Sequence, residues 1–162
     1  MAATIIQETG ARVAGANSYV TVAELTTYAD ERGVTISAAE EEDLLIEAMD
    51  YLESLDYIGY RYTEDQALEW PRADAVKYKI YWYEVDEIPQ DLKDAQCEIA
   101  LAIDAGNGPL DNLDRKTKRK KVGDIEVEYA AGSNSDVVVR KINAKLKNLI
   151  IGAGVSFPVD KA

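Results

Sequence analysis

Leu44, Leu45, Ala48, Met49, Leu52 and Leu55 recur at intervals of three and four residues, which places them along one face of a 3.6-residue helix. A chain with such a stripe must bury it against elements of similar shape, and the same spacing returns twice more. Leu92, Ala95, Gln96, Ile99, Ala100 and Ile103 form one stripe. Val137, Val138, Ile142, Leu146, Leu149 and Ile150 form another, with Arg140, Lys141, Lys145 and Lys147 on the opposite side.

Start and stop signals frame these stripes. Thr21 with Glu24 three residues on makes a capping box, Leu25, Tyr28 and Ala29 share a face, and Gly33 supplies a stop, so the pattern predicts a helix over 22–32. Ser37 and Glu40 repeat the capping-box spacing ahead of the Leu44 stripe. Glu40, Glu41, Glu42 and Asp43 fall in its first turns, where the positive end of the helix dipole stabilises carboxylates, which accounts for them better than a metal cluster does. Pro89 is placed at the first position of the third helix, where its missing N–H is not needed, and Gly106 ends it. The expected fold is mainly α: a small bundle of about four helices, with a β-hairpin and extended N- and C-terminal arms.

Thr4 to Gln7 is a short β-branched run followed by Gly10 and Gly15, which reads as an extended arm or edge strand. Between Tyr57 and Trp82 the chain turns aromatic, with Tyr60, Tyr62, Trp70, Tyr78 and Tyr81 in the same stretch. Pro71 disfavours a helical conformation at Trp70. Interleaved Arg61, Arg72, Lys77 and Lys79 suit stacking on single-stranded bases. The neighbouring Glu64, Asp65, Glu69 and Asp74 favour a core-lining connector with half-buried tyrosines instead.

At 162 residues and 47% hydrophobic content the chain has the size of one domain and enough apolar surface for one core. Cys97 is the single cysteine, so no internal disulfide is possible, and its neighbours Ile99, Ala100 and Leu101 mark it as a core residue. There is no histidine, which removes Ser-His-Asp and Cys-His catalysis and the commonest zinc ligand. The start MAATIIQETG carries neither the basic nor the apolar part of a secretory signal. A soluble protein is expected.

The net charge of −12 is unevenly spread. Residues 1–114 hold 25 acidic and 7 basic side chains, a balance of −18, whereas residues 115–162 hold 5 and 11, a balance of +6. Asn107-Gly108-Pro109 is the turn between the two parts. The expected organisation is an acidic helical part with its arm over 1–106, then a basic hairpin, amphipathic helix and tail over 107–162, within one compact unit.

Six of the seven residues over 115–121 are basic, and alone they resemble a nucleic-acid patch. However, Gly123-Asp124 is a two-residue turn signal, followed by Ile125, Val127 and Tyr129 alternating with Glu126 and Glu128. A loop at Gly123-Asp124 pairs Val122 with Ile125, Lys121 with Glu126, Lys120 with Val127 and Arg119 with Glu128. The ribbon thus neutralises part of its own charge. Lys118 and Lys120 then face away with Tyr129 and Val127, and Arg115 and Lys116 lie beyond the glutamates. Those four, with Arg140 and Lys141 of the last helix, are the candidate partner-docking residues. The ribbon is marginal alone and should pack on the helices or on a neighbouring subunit. The last helix lacks the aromatic anchors of a membrane-surface helix.

Ala16-Asn17-Ser18-Tyr19-Val20 before the first helix, Gln66-Ala67-Leu68-Glu69-Trp70-Pro71-Arg72 after a tyrosine-rich turn, Ile88-Pro89 opening a helix with Leu92, Ala95, Glu98 and Ala100, and Val122 to Tyr129 occur in that order. The set, spanning roughly 16–150, resembles the small head–tail connector proteins (adaptor, or head-completion) of tailed bacteriophages, many of which carry the label DnaT-like single-stranded DNA-binding. The resemblance implies a structural protein of the virion neck, assembled in the host cytoplasm. It implies a ring, commonly of twelve copies, beneath the portal protein, touching neighbouring subunits and a stopper or tail-terminator protein while double-stranded DNA passes through. It implies no catalysis and no cofactor.

An acidic lumen would let DNA slide, because each neutralised phosphate adds salt-dependent affinity. The basic third would meet an acidic protein surface. Two other readings stand beside it: a DnaT-like single-stranded DNA-binding module, which the label suggests, and a carboxylate enzyme built on Asp43, Glu47 and Asp50. The second lacks any phosphate loop or recognisable ligand spacing.

Overall fold

In the computed structural model the order is α1 (Val22–Asp30), α2 (Glu41–Leu52), β1 (Tyr60–Arg61), β2 (Arg72–Ala73), β3 (Val76–Lys77), β4 (Tyr81–Trp82), α3 (Gln90–Asp104), β5 (Thr117–Lys121), β6 (Glu126–Tyr129) and α4 (Asn134–Leu146). The structure describes residues 3–77, 79–109, 117–121, 126–129 and 134–151. The strands pair as three antiparallel ribbons, β1–β2, β3–β4 and β5–β6. The mainly helical class with a basic hairpin is therefore as expected, and the aromatic stretch contributes two further short ribbons.

α3 is the central helix because it is apolar on more than one side. Leu92, Ala95, Cys97, Ile99, Ala100, Leu101 and Ala102 are all buried, and the helix packs against α1, α2 and α4. Leu25 from α1, Leu45 and Leu52 from α2, and Ile142, Leu146 and Leu149 from α4 and its end meet it in one cluster. Each fully buried aliphatic side chain contributes roughly 1.5–3 kcal/mol. The acidic and basic parts thus share a core. No described helix is long and apolar enough to cross a membrane.

Several boundaries differ from expectation. α1 stops at Asp30, with its Thr21–Glu24 capping box in place, and Gly33, at φ +64°, carries the chain out of the helix. The second capping box does not form: Glu40 is the N-cap of α2 and makes no side-chain cap bond. Ser37 instead turns to the end of α3, where the Asp104 carboxylate accepts from the Ser37 backbone at 3.0 Å, its hydroxyl at 2.9 Å and the Ala38 backbone at 2.8 Å. Asp104 thus takes up the Ser37 N–H and hydroxyl that a box with Glu40 would need, and the Ala38 N–H as well. Pro89 is the N-cap of α3 rather than its first residue, its carbonyl accepting from Leu92.

The start of the chain is extended but is no projecting arm. Gln7 bridges Ser18 in parallel, and Glu8 is fully buried, its carboxylate accepting from the backbone of Gly10, Arg12 and Val13, each at 2.8 Å. The stripe predicted to continue through Ile150 leaves the helix after Leu146, because Ile150 joins an antiparallel bridge to Tyr57. The expected C-terminal arm lies outside the described residues.

In the basic hairpin Lys121 pairs with Glu126, Lys120 with Val127 and Arg119 with Glu128, the register that the Gly123-Asp124 turn dictates. Val122 and Ile125 lie outside the described residues. Beyond Arg119 the ladder shifts, so that Thr117 rather than Lys118 sits opposite Tyr129. An irregularity of this kind places an extra residue on one strand, and the expected pairing of Lys118 with Tyr129 is lost.

Candidate docking surfaces

The predicted docking residues fall on three different parts of the chain. Arg115 and Lys116 lie outside the described residues, and Lys118 and Lys120 are placed by the backbone of β5. Arg140 and Lys141 are exposed on α4, whose Ile142 and Leu146 hold it to the core. Lys145 does not share that face: its Nζ lies 3.1 Å from Asp94 on α3 and 5.8 Å from the Tyr28 ring. The helix therefore offers a narrower basic surface than its composition suggests.

The aromatic stretch separates into two sets instead of forming a half-buried lining. Tyr57, Trp70 and Tyr83 are buried and stack edge to face, with ring centroids 6.2 Å apart for Tyr57–Trp70 and 5.3 Å for Trp70–Tyr83. The Trp70–Pro71 bond is cis. The Trp70 indole N–H has no hydrogen-bond partner among the described residues. Tyr60 and Tyr62 are exposed, as are Ile80, Tyr81, Trp82 and Val85 around the β3–β4 ribbon, at 70%, 62%, 61% and 43%.

Three cations of this stretch, Arg61, Arg72 and Lys77, face carboxylates. Arg72 is buried and ion-pairs with Glu69, while its guanidinium also donates to the carbonyls of Ile58 and Gly59 at 2.8 and 3.0 Å. Arg61 lies 3.8 Å from Glu69 and donates to the Gln66 carbonyl. Lys77 holds Glu87 at 2.9 Å. Arg12 covers the Tyr62 ring at 4.6 Å.

The two motifs of the aromatic stretch and the first helix meet in a buried polar network. The Tyr19 hydroxyl donates to Glu53 at 2.9 Å and accepts from the Trp70 backbone at 3.1 Å. The second Glu53 oxygen accepts from the Glu69 backbone at 2.9 Å. Burial pushes the Glu53 carboxyl above its ordinary value, the Tyr19 and Glu69 hydrogen bonds only partly offsetting it. Gln96 of α3 completes the network, accepting from the Tyr19 backbone at 2.9 Å and donating to the Ser18 hydroxyl at 2.8 Å and the Leu45 carbonyl at 3.2 Å. These residues are structural staples.

Asp43, Glu47 and Asp50 are all exposed on α2. Cys97 is buried and its thiol is pushed up to about 12, first by desolvation and then by Asp94 and Glu24, so it stays a neutral core residue at ordinary pH.

The exposed β3–β4 apolar tip is the surface that reasoning from sequence passed over. Its signal was Ile80-Tyr81-Trp82 following Lys79, an apolar triplet at a turn, where Lys79 adopts φ +70°. Neither a curated protein nor a solved structure matches the chain. A family model described as "Putative DnaT-like ssDNA binding protein" matches residues 3–161, and the chain belongs to that family.

Proposed function

We propose that this chain is a non-catalytic head–tail adaptor of a tailed bacteriophage. In this reading it forms a ring in the virion neck between the portal and the next component and lets double-stranded DNA pass. The observation that carries the reading is the pairing of Arg61, Arg72 and Lys77 with Glu69 and Glu87. The exposed Tyr81 and Trp82 share their ribbon with Lys77, which Glu87 holds, and with Lys79 of its turn, while Arg61 and Arg72 are committed to Glu69 on the neighbouring ribbon. Binding to a nucleic acid draws on cations that release counterions from phosphate, whereas aromatic rings on such a surface suit protein contact.

The balance of −18 over residues 1–114 suits a lining that DNA slides past. The β5–β6 ribbon and the exposed Arg140 and Lys141 suit an acidic surface on the portal or on a neighbouring subunit, where complementary charge sets register and encounter rate.

The test is native mass measurement of the purified chain, free and mixed with its portal protein. A defined multimer on the portal is expected, with attachment lost when Lys118, Lys120, Arg140 and Lys141 are all changed to glutamate. Attachment that survives the fourfold reversal sinks the assignment of the docking face.

A second reading, single-stranded DNA binding, is favoured by the family description and by the exposure of Tyr60, Tyr62, Tyr81 and Trp82. Fluorescence anisotropy with a labelled single-stranded oligonucleotide at low salt separates the two. Tight binding that weakens steeply with salt, together with no association with the portal, replaces the adaptor reading by this one.

A further inference from the structure

We infer that the β3–β4 tip of one copy seats in a groove between α3 and α4 of a second copy of this chain. The inference rests on the adaptor reading for its setting, and on the two surfaces themselves for its geometry.

The groove has a volume of about 500 Å³ and is walled by Val34, Leu101, Ala102, Ala105 and Ile142, with Lys141 at its rim. That volume lies in the range of cavities that enclose a compact apolar group. Its one acid is already engaged: Glu98 accepts from the Tyr28 hydroxyl at 3.0 Å and lies 3.7 Å from the Arg32 guanidinium. The groove is thus lined by five apolar side chains and the Arg32–Glu98 pair, with the exposed Lys141 on its α4 side.

The tip has the complementary character. Ile80, Tyr81, Trp82 and Val85 are exposed, Glu84 and Asp86 after them are exposed acids, Lys77 is held by Glu87, and Lys79 is the exposed cation of the turn. An apolar wedge whose exposed acids, Glu84 and Asp86, outnumber its exposed Lys79 therefore suits a largely apolar groove bordered by Lys141. Aromatic side chains filling a pocket, with a charged rim that fixes orientation, are the usual anchors of a protein interface.

The two surfaces lie apart on one chain. Val76 and Lys79 of the tip ribbon border a cavity with Asn148 and Ile151, beyond the end of α4, whereas the groove opens at Lys141 and Ile142 and the last turns of α3. Joining different patches on successive copies is a heterologous contact, which grows into a closed ring or a filament according to the rotation it imposes.

The experiment is sedimentation of the full-length chain over a concentration series, alone and with portal protein, for the wild type, Trp82→Glu and Ala105→Arg. Both positions are exposed, and unchanged thermal melting verifies that each variant is folded. Self-association of the wild type is expected, weakened at least about tenfold by either substitution, as for loss of a central aromatic anchor. An equimolar mixture of the two variants is expected to recover a dimer and nothing larger, since one intact tip meets one intact groove.

Variants that associate like the wild type, a mixture that stays monomeric, or a wild type that does not self-associate in either condition each overturn the inference. A chain that coats the portal normally with both variants removes this interface and leaves the adaptor reading standing. Self-association through tip and groove with no portal binding does the reverse.

Discussion

The Tyr19 hydroxyl accepts the Trp70 backbone N–H at 3.1 Å and donates to Glu53 at 2.9 Å, so one side chain ties the segment before α1 to the loop after α2. Tyr19→Phe leaves the buried Trp70 backbone donor and an oxygen of the half-buried Glu53 carboxylate without that partner. An unsatisfied buried group costs about 1–3 kcal/mol. The expected loss of stability in urea titrations is of that size, with the helical circular dichroism of the folded state unchanged.

Gln96 does the same from the centre of α3, where it is fully buried. Gln96→Leu keeps the volume but orphans the Tyr19 N–H and removes donors from the Ser18 hydroxyl and the Leu45 carbonyl. With several polar groups affected, a loss of roughly 2–4 kcal/mol is expected, more than for Tyr19→Phe. A midpoint equal to wild type in the same titration contradicts this account.

The contrast between these residues shows how far the sequence could be read. The stripes at Leu44 and Leu92 named the helices because apolar spacing is local, and Gly123-Asp124 set the ribbon register because a turn is local too. Gln96 was placed on the inward face by that periodicity, but its bonds reach residues 77 and 51 positions away, which no spacing encodes. Ser37 fitted a capping box equally well, and only the approach of Asp104 across 67 positions took it out. The aromatic stretch was misread for a related reason. Whether Tyr57 or Tyr81 is buried depends on how two-residue strands fold back, and composition is the same for both outcomes.

Two carboxyls should give the pH dependence opposite slopes. Burial raises the Asp104 pKa, but the bonds from Ser37 and Ala38 outweigh it and hold the group below its ordinary value. Its contribution is therefore present above the ordinary aspartate range and lost as pH falls through the folded value. Glu53 is held above its ordinary value by desolvation, so its contribution is full below the ordinary glutamate range and lost as pH rises through the folded value. Urea midpoints measured across the acid range should show Asp104→Asn flattening the lower limb and Glu53→Gln flattening the upper one. Two limbs that both stay as in the wild type refute the assignments.

Gly10 sits at φ +99°, and a Cβ built there would lie 1.8 Å from the Asp86 carbonyl oxygen. That neighbour is backbone and cannot swing aside. Gly10→Ala therefore combines a left-handed conformation with a direct clash, and a destabilisation above about 3 kcal/mol is expected, at the upper end for single substitutions. Gly33, at φ +64° with nothing near its Cβ position, is the control: Gly33→Ala should cost only about 1 kcal/mol, the conformational part alone. Similar losses at the two sites in thermal melts would mean that the approach to Asp86 does not exist.

The two tryptophans report on different parts of the molecule, since Trp70 is 0% exposed and Trp82 is 61% exposed. In Trp82→Phe the remaining emission comes from a ring packed between Tyr57 and Tyr83, so it should shift to the blue and resist acrylamide. Trp70 has no route to solvent without unfolding, because interiors of this packing density leave few voids a quencher can enter. The difference between wild type and Trp82→Phe is then the signal of the β3–β4 tip alone. Adding portal protein or a second copy should shield that signal if the tip is a protein contact. Adding a single-stranded oligonucleotide should leave it unchanged, because Lys77 and Arg61 are committed to Glu87 and Glu69. Quenching of the Trp82 signal by the oligonucleotide, removed by added salt, would assign the tip to base stacking instead.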